Sequence, residues 1–242
     1  MVLVGDTLAE LNASAVRWCL LRDGPELDPH GGDVDLLVHS DDLGLLRRLL
    51  TASGFTELRA WGRWPHRFFV AAPLKLDVVT ELAFGPDAAL RTHVAEAVLA
   101  RRILAVPAPR PAAPDAFWAL LLHVLLDRGV VRPDRARELA ALAPLARDAA
   151  SPLRRLVEAA CPPGWDAARI ADEAAAGHFK ELLGLAPELR ARWTGTAPMA
   201  GAGRAWLRGG LRLASRRLPP RPRQFAQHSG AMTSNSAARS TG

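Results

Sequence analysis

An apolar stretch interrupted by two aspartates is the feature that most restricts how this chain can fold. Residues 30–38 read His-Gly-Gly-Asp-Val-Asp-Leu-Leu-Val, with the acids at Asp33 and Asp35. Apolar residues following a glycine pair predict a buried β-strand, in which alternate side chains point to the same face. Asp33 and Asp35 therefore project together, beside a glycine loop whose backbone can approach a ligand closely.

Two parallel carboxylates predict a cation site. Like charges at this separation repel each other unless a cation lies between them. Hard oxygen ligands suit Mg²⁺, which completes its coordination with water and substrate phosphate oxygens. The pattern therefore indicates metal-dependent phosphoryl or nucleotidyl chemistry. The alternative is that Asp33 and Asp35 are two exposed acids on the solvent face of an edge strand.

A second half-buried strand is predicted over residues 74–80. Leu74, Leu76 and Val78 alternate with Lys75, Asp77 and Val79, so Lys75 and Asp77 share one face. Asp77 is a candidate third acid for the same site, and a surface salt bridge between Lys75 and Asp77 is the alternative. His30 lies in the candidate loop and is a weak candidate for substrate contact, whereas the other histidines, His66 among them, are scattered without the spacing of metal ligands.

The order of predicted elements changes at a proline-rich connector. Before it, helices and strands mix, which indicates an α+β fold with a small mixed sheet over residues 1–106. The connector spans 107–114, and a helical domain is predicted over 115–218. A disordered tail rich in Arg, Pro and Ser is predicted over 219–242. The predicted strands cover 17–22, 33–39, 55–61, 66–71, 74–80 and 103–106, and the predicted helices include 87–101, 115–128, 134–148, 151–160, 166–176 and 178–189.

The net charge of +6 comes from the end of the chain. Eight arginines and no acids follow Gly201, so the remaining 23 basic and 25 acidic residues give positions 1–200 a charge near −2. We interpret the tail as a solvated basic extension, and specific nucleic-acid binding is not expected. A less favoured alternative is an adaptor that touches nucleic acid or a membrane surface through these arginines. No apolar run reaches the ~20 residues that span a bilayer, and a cytoplasmic protein is expected.

The order of these motifs resembles the nucleotidyltransferase superfamily. A strand ending in Leu-Leu-Arg at Arg22, a glycine loop, the Asp33-x-Asp35 strand, a helix, and a later strand with Asp77 follow one another over roughly residues 8–150. The resemblance is closest to a bacterial nucleotidyltransferase-like group. A short Asp-x-Asp motif has little specificity alone and gains it from this order.

The resemblance implies a mechanism with two Mg²⁺ ions. Asp33 and Asp35 would hold the ions on the triphosphate of an NTP, and Asp77 would join them as the catalytic residue that orients or deprotonates an acceptor hydroxyl. Arg22 and Lys75 would neutralise phosphate charge, with a structural ion pair as the alternative for Arg22.

Backbone N–H groups at Gly31 and Gly32 would add an anion cradle. Trp61 and Trp64 are further candidates, which could stack a base or pack together on a hairpin.

One departure from that superfamily bears on function. Its typical members carry Gly-Ser ahead of the Asp-x-Asp motif, whereas residues 22–25 here read Arg-Asp-Gly-Pro. The first hypothesis is a Mg²⁺-dependent enzyme that transfers an NMP from an NTP to a small hydroxylated molecule, a sugar or a protein. The alternative is a non-catalytic nucleotide-binding or regulatory protein on the same scaffold.

Overall fold

The computed structural model describes residues 3–21, 32–58, 66–148 and 150–194. Its strands are β1 (Trp18–Leu20), β2 (Gly32–Val38), β3 (Thr56–Leu58), β4 (His66–Ala71), β5 (Leu74–Val79), β6 (Ala83–Phe84) and β7 (Leu90–Arg91). Its α-helices are α1 (Val4–Ala13), α2 (Leu43–Ala52), α3 (Ala95–Ala100), α4 (Ala113–Leu122), α5 (Pro133–Leu142), α6 (Pro152–Ala160), α7 (Ala167–Ala175) and α8 (Phe179–Trp193). The predicted tail lies outside the described residues.

The main sheet is mixed, with strand order β1-β2-β5-β4-β3. Strands β2 and β5 are parallel, whereas the other three pairings are antiparallel. A parallel pair needs a long crossover, and here the chain between β2 and β5 supplies α2, β3 and β4. Strands β6 and β7 form a separate two-stranded sheet. The predicted α+β class is confirmed.

The two parallel strands at the centre of the main sheet have one apolar face. Alternate residues of β2 and β5 enter a core shared with α1 and α2, because each helix presents leucines at helical spacing. The buried members of this core include Leu8, Leu11, Val34, Leu36, Val38, Leu46, Leu50, Leu74, Leu76 and Val78.

The opposite face is divided between a core and a polar surface. Leu37, Val79 and Cys19 belong to a second buried cluster, which also contains Phe117, Trp118 and residues of α3–α8. The preceding residues of β2 and β5 on this face are instead the polar Asp33, Asp35, Lys75 and Asp77, none of which is buried. The acids therefore lie on the same face of the sheet as the helical part, next to the area that its helices bury.

The five helices predicted after residue 115 are present, with ends shifted by a few residues. Two predictions before the connector are wrong. The predicted helix over 87–101 is α-helical only from Ala95, because Ala88 (φ 53°) and His93 (φ 55°) adopt left-handed conformations and β7 intervenes.

The predicted strand over 103–106 is only a single bridge between Ile103 and Arg110. Prolines at 107, 109 and 111 lack the N–H that a longer ladder needs. None of the described helices is both long and apolar enough to cross a membrane.

Candidate functional site

The register of the parallel strands brings the sequence-predicted residues together. Asp35 lies directly opposite Asp77, and Asp33 lies directly opposite Lys75. Side chains at opposed positions of neighbouring strands share a face. The pairing of β2 with β5 thus brings four residues to one face. The two members of each opposed pair are 42 positions apart along the chain.

Asp33 is paired with a lysine at the outer end of this group. Lys75 Nζ donates to Asp33 Oδ2 at 2.7 Å, and the Asp33 side chain is 67% exposed. The same Nζ lies 5.3 Å from the centroid of the Phe68 ring. Because the Asp33 carboxylate faces solvent, the ion pair adds little to stability, and a competing anion or cation can separate it.

Asp77 is held by a histidine that the sequence did not single out. His66 Nδ1 lies 2.9 Å from Asp77 Oδ1. This hydrogen bond raises the pKa of His66, burial opposes the rise, and the charges of Asp77, Asp35 and Asp127 add to it. Asp77, Asp35 and Asp127 therefore all favour the protonated form of His66.

A signal for His66 was present in the sequence. The turn at Ala72-Pro73 joins β4 to β5, with Ala71 opposite Leu74. Counting back along both strands from that turn places Phe68 opposite Asp77 and His66 one step further on the same face.

The helical part contributes a fourth acid near this face. Helix α4 continues into a π-helical segment, His123–Arg128, in which Asp127 Oδ2 lies 2.7 Å from His123 Nδ1. The other Asp127 oxygen accepts a hydrogen bond from the Gly85 backbone N–H. π-Helical turns occur frequently at functional sites. The sequence could not predict this neighbour, because a contact between a helix and a distant strand has no local pattern.

The carboxylates do not form a ready-made cage. Among the described residues, no group of three His, Cys, Asp or Glu side chains is arranged to hold a metal ion. Asp35 and Asp77 nevertheless fit Mg²⁺, because this ion is usually held by one or two carboxylates together with substrate phosphates. Asp33, Asp35 and Asp77 thus share one face of the sheet, but their carboxylates are not arranged as a set of metal ligands.

Two of the predicted phosphate-binding residues, Arg22 and Gly31, lie outside the described residues, as do Trp61 and Trp64. Gly32 begins β2 opposite Leu74. No family model, curated protein or solved structure gave a significant match to this chain. The resemblance to nucleotidyltransferases therefore depends on the order of motifs in the sequence alone.

Proposed function

We propose that this protein is a Mg²⁺-dependent nucleotidyltransferase that transfers an NMP from an NTP to a hydroxyl acceptor. The observation that carries the proposal is the pairing of Asp35 with Asp77 on neighbouring parallel strands. Two neighbouring carboxylates on a partly exposed face repel each other, and a divalent cation that binds a polyphosphate would offset that repulsion.

In the proposed reaction, the acceptor oxygen forms a bond to the α-phosphorus, and the bond from that phosphorus to the oxygen bridging to the β-phosphate breaks, releasing pyrophosphate. Asp35 and Asp77 would supply carboxylate oxygens to bound Mg²⁺, and Asp77 would take the proton of the acceptor hydroxyl. When bound, Mg²⁺ would supply charge neutralisation for the triphosphate and the departing pyrophosphate.

Two neighbouring side chains would assist. Lys75 would neutralise phosphate charge after leaving Asp33, and His66 would hold the Asp77 carboxylate in one orientation. The acceptor would be a small hydroxylated molecule, a sugar or a protein side chain.

The test is pyrophosphate production by the full chain with each NTP, with and without Mg²⁺, over a panel of hydroxylated acceptors. We expect Asp77→Asn and Asp35→Asn to abolish Mg²⁺-dependent release while the melting temperature changes little. Asp134→Asn is the matched control, because Asp134 pairs with Arg132 on exposed surface in α5. Activity in Asp77→Asn equal to that of the unsubstituted protein would contradict the proposed role of Asp77.

A second candidate, a non-catalytic nucleotide-binding or regulatory protein, is favoured by a different observation. Asp33 and Asp77 both have cationic or hydrogen-bonding partners within the protein, Lys75 and His66. Each of these two acids thus has a partner without a metal ion. This candidate predicts that Mg²⁺–NTP binds, that Asp77→Asn weakens the binding, and that no NTP is consumed.

A further inference from the structure

The surface beside the acids is apolar and aromatic. Strand β4 places Phe68 opposite Asp77, and β3 places Leu58 opposite Phe68, so all three share the face that carries Asp35. Leu58 is a large hydrophobic residue whose exposed fraction is 46%. His66 lies on the same face, because it is two residues from Phe68 along β4. We call Leu58, His66 and Phe68 the aromatic platform.

Phe68 is not part of the apolar core. It is only partly buried and belongs to neither of the two buried clusters, whereas the next residue, Phe69, is fully buried in one of them. The Phe68 ring is therefore partly accessible on the face that carries Asp33, Asp35 and Asp77.

The Phe68 ring is held by its polar neighbours. The His66 ring is stacked with it, at 6.2 Å between centroids and 17° between planes. Lys75 Nζ lies on the other strand, 5.3 Å from the ring centroid. Both neighbours also bind the acids, His66 to Asp77 and Lys75 to Asp33. The aromatic platform and the carboxylates are therefore one connected surface.

We propose that the aromatic platform binds the heteroaromatic base of the nucleotide, by stacking on Phe68. This inference rests on the proposed function, in which the phosphates lie at Asp35 and Asp77. Phe68 lies on the strand next to Asp77, at a backbone spacing of about 5 Å, so a nucleotide whose phosphates lie at Asp35 and Asp77 would extend its base over this strand. Stacking on an aromatic ring accepts any base, because every base has a π-face.

The test compares a ligand that has a base with one that has none. Isothermal titration calorimetry on the full chain measures the affinity of α,β-methylene-ATP, whose P–C bond blocks transfer, and of tripolyphosphate, both with Mg²⁺. We expect Phe68→Ala to weaken binding of the nucleotide roughly 5- to 100-fold and to leave tripolyphosphate binding unchanged. Phe68→Trp should keep the affinity for the nucleotide, because it keeps a stacking ring.

The matched control is Trp165→Ala. Trp165 stacks with the Arg169 guanidinium at 4.4 Å in the helical part, so its loss removes a similar aromatic–cation contact elsewhere. Trp165→Ala should leave both affinities unchanged.

The outcomes separate this inference from the proposed function. Unaltered nucleotide affinity in Phe68→Ala, or equal loss of both ligands, would overturn the aromatic platform as a base site. Equal affinity of the unsubstituted protein for nucleotide and tripolyphosphate would also overturn it while leaving the phosphate site intact. Failure of the unsubstituted protein to bind either ligand would defeat the proposed function and, with it, this inference.

Discussion

A buried carboxylate joins the end of α3 to the helices that follow the connector. Asp115 in α4 is fully buried, accepts a hydrogen bond from Ser151 Oγ, and lies 3.0 Å from Arg101 Nε. Arg101 also donates to Asp148 at 2.6 Å. A buried charge is costly unless it is paired, so Arg101 compensates for the burial of Asp115.

Loss of that compensation should destabilise the protein. We expect Arg101→Met to lower the free energy of unfolding by about 2–4 kcal/mol, because Asp115 loses its cation. Urea unfolding followed by circular dichroism measures the change. The control is Arg132→Met, which breaks an exposed ion pair with Asp134 and should cost under about 1 kcal/mol. Equal costs for the two variants would mean that Asp115 does not depend on Arg101.

A second ion pair makes stability depend on pH. Arg17 Nε donates to Asp42 Oδ2 at 2.7 Å, and the Arg17 backbone N–H donates to the same oxygen at 2.9 Å. The hydrogen bond from the Arg17 side chain lowers the pKa of Asp42, and partial burial opposes this shift. The ionised form of Asp42 is therefore favoured by folding.

Because the folded pKa of Asp42 is depressed, its contribution is present above the unfolded value of about 3.9 and is lost as pH falls through the folded value. We expect Asp42→Asn to be less stable than the unsubstituted protein at pH 7, with the difference shrinking as the solution is acidified below pH ~4. Urea unfolding at a series of pH values measures both proteins. A difference that stayed constant down to the lowest pH would contradict the assigned ion pair.

The π-helical segment that follows α4 ends at Gly129, which adopts a left-handed backbone conformation. After the π-helical segment, Gly129 adopts φ 64°, and its N–H donates to the Val124 carbonyl at 2.9 Å. A Cβ at Gly129 would meet no atom within 4 Å, so only the left-handed conformation restricts this position.

Two glycine-to-alanine changes should therefore act in opposite directions. Gly129→Ala should lower the free energy of unfolding by about 1–2 kcal/mol, because alanine resists the left-handed conformation. Gly184→Ala, in the interior of α8 with open space around it, should raise it by about 0.5–1 kcal/mol through helix propensity. Thermal unfolding measures both. A destabilised Gly184→Ala would show that space, not propensity, controls that position.

The molecule is joined across its main sheet by a few apolar residues. Leu37 of β2 and Val79 of β5 belong to the same buried cluster as Phe117 and Trp118 of α4. The neighbouring Leu36 and Val78 belong to the cluster on the opposite face. Each of these two strands thus contributes to both cores, so the sheet and the helices should unfold together.

Leu37→Ala tests that coupling. We expect a loss of about 2–5 kcal/mol, because the fully buried side chain leaves a cavity between the sheet and the helices. Far-ultraviolet circular dichroism and tryptophan fluorescence should still give coincident unfolding curves, shifted together to lower denaturant. Separation of the two curves in the variant would indicate two independent units, divided as the sequence predicts at residues 107–114.

Local periodicity was sufficient to predict β2, β5 and the shared face of Lys75 and Asp77, because side-chain direction in a strand depends only on alternation. It was equally sufficient for the helices after residue 115, whose apolar positions recur at helical spacing. It failed over 87–101, where left-handed residues interrupt a helix-like composition, and over 103–106, where the prolines that follow limit pairing to a single bridge.

The tertiary structure decided which strands are neighbours. That Asp35 faces Asp77 depends on β2 pairing with β5 across an intervening helix and hairpin, a choice set by burial of both sheet faces and not by any short segment. The contact of His66 with Asp77, the approach of Asp127, and the exclusion of Phe68 from both cores follow from that choice. Alternation along the chain sets where a side chain points, whereas packing of the whole core sets what it meets.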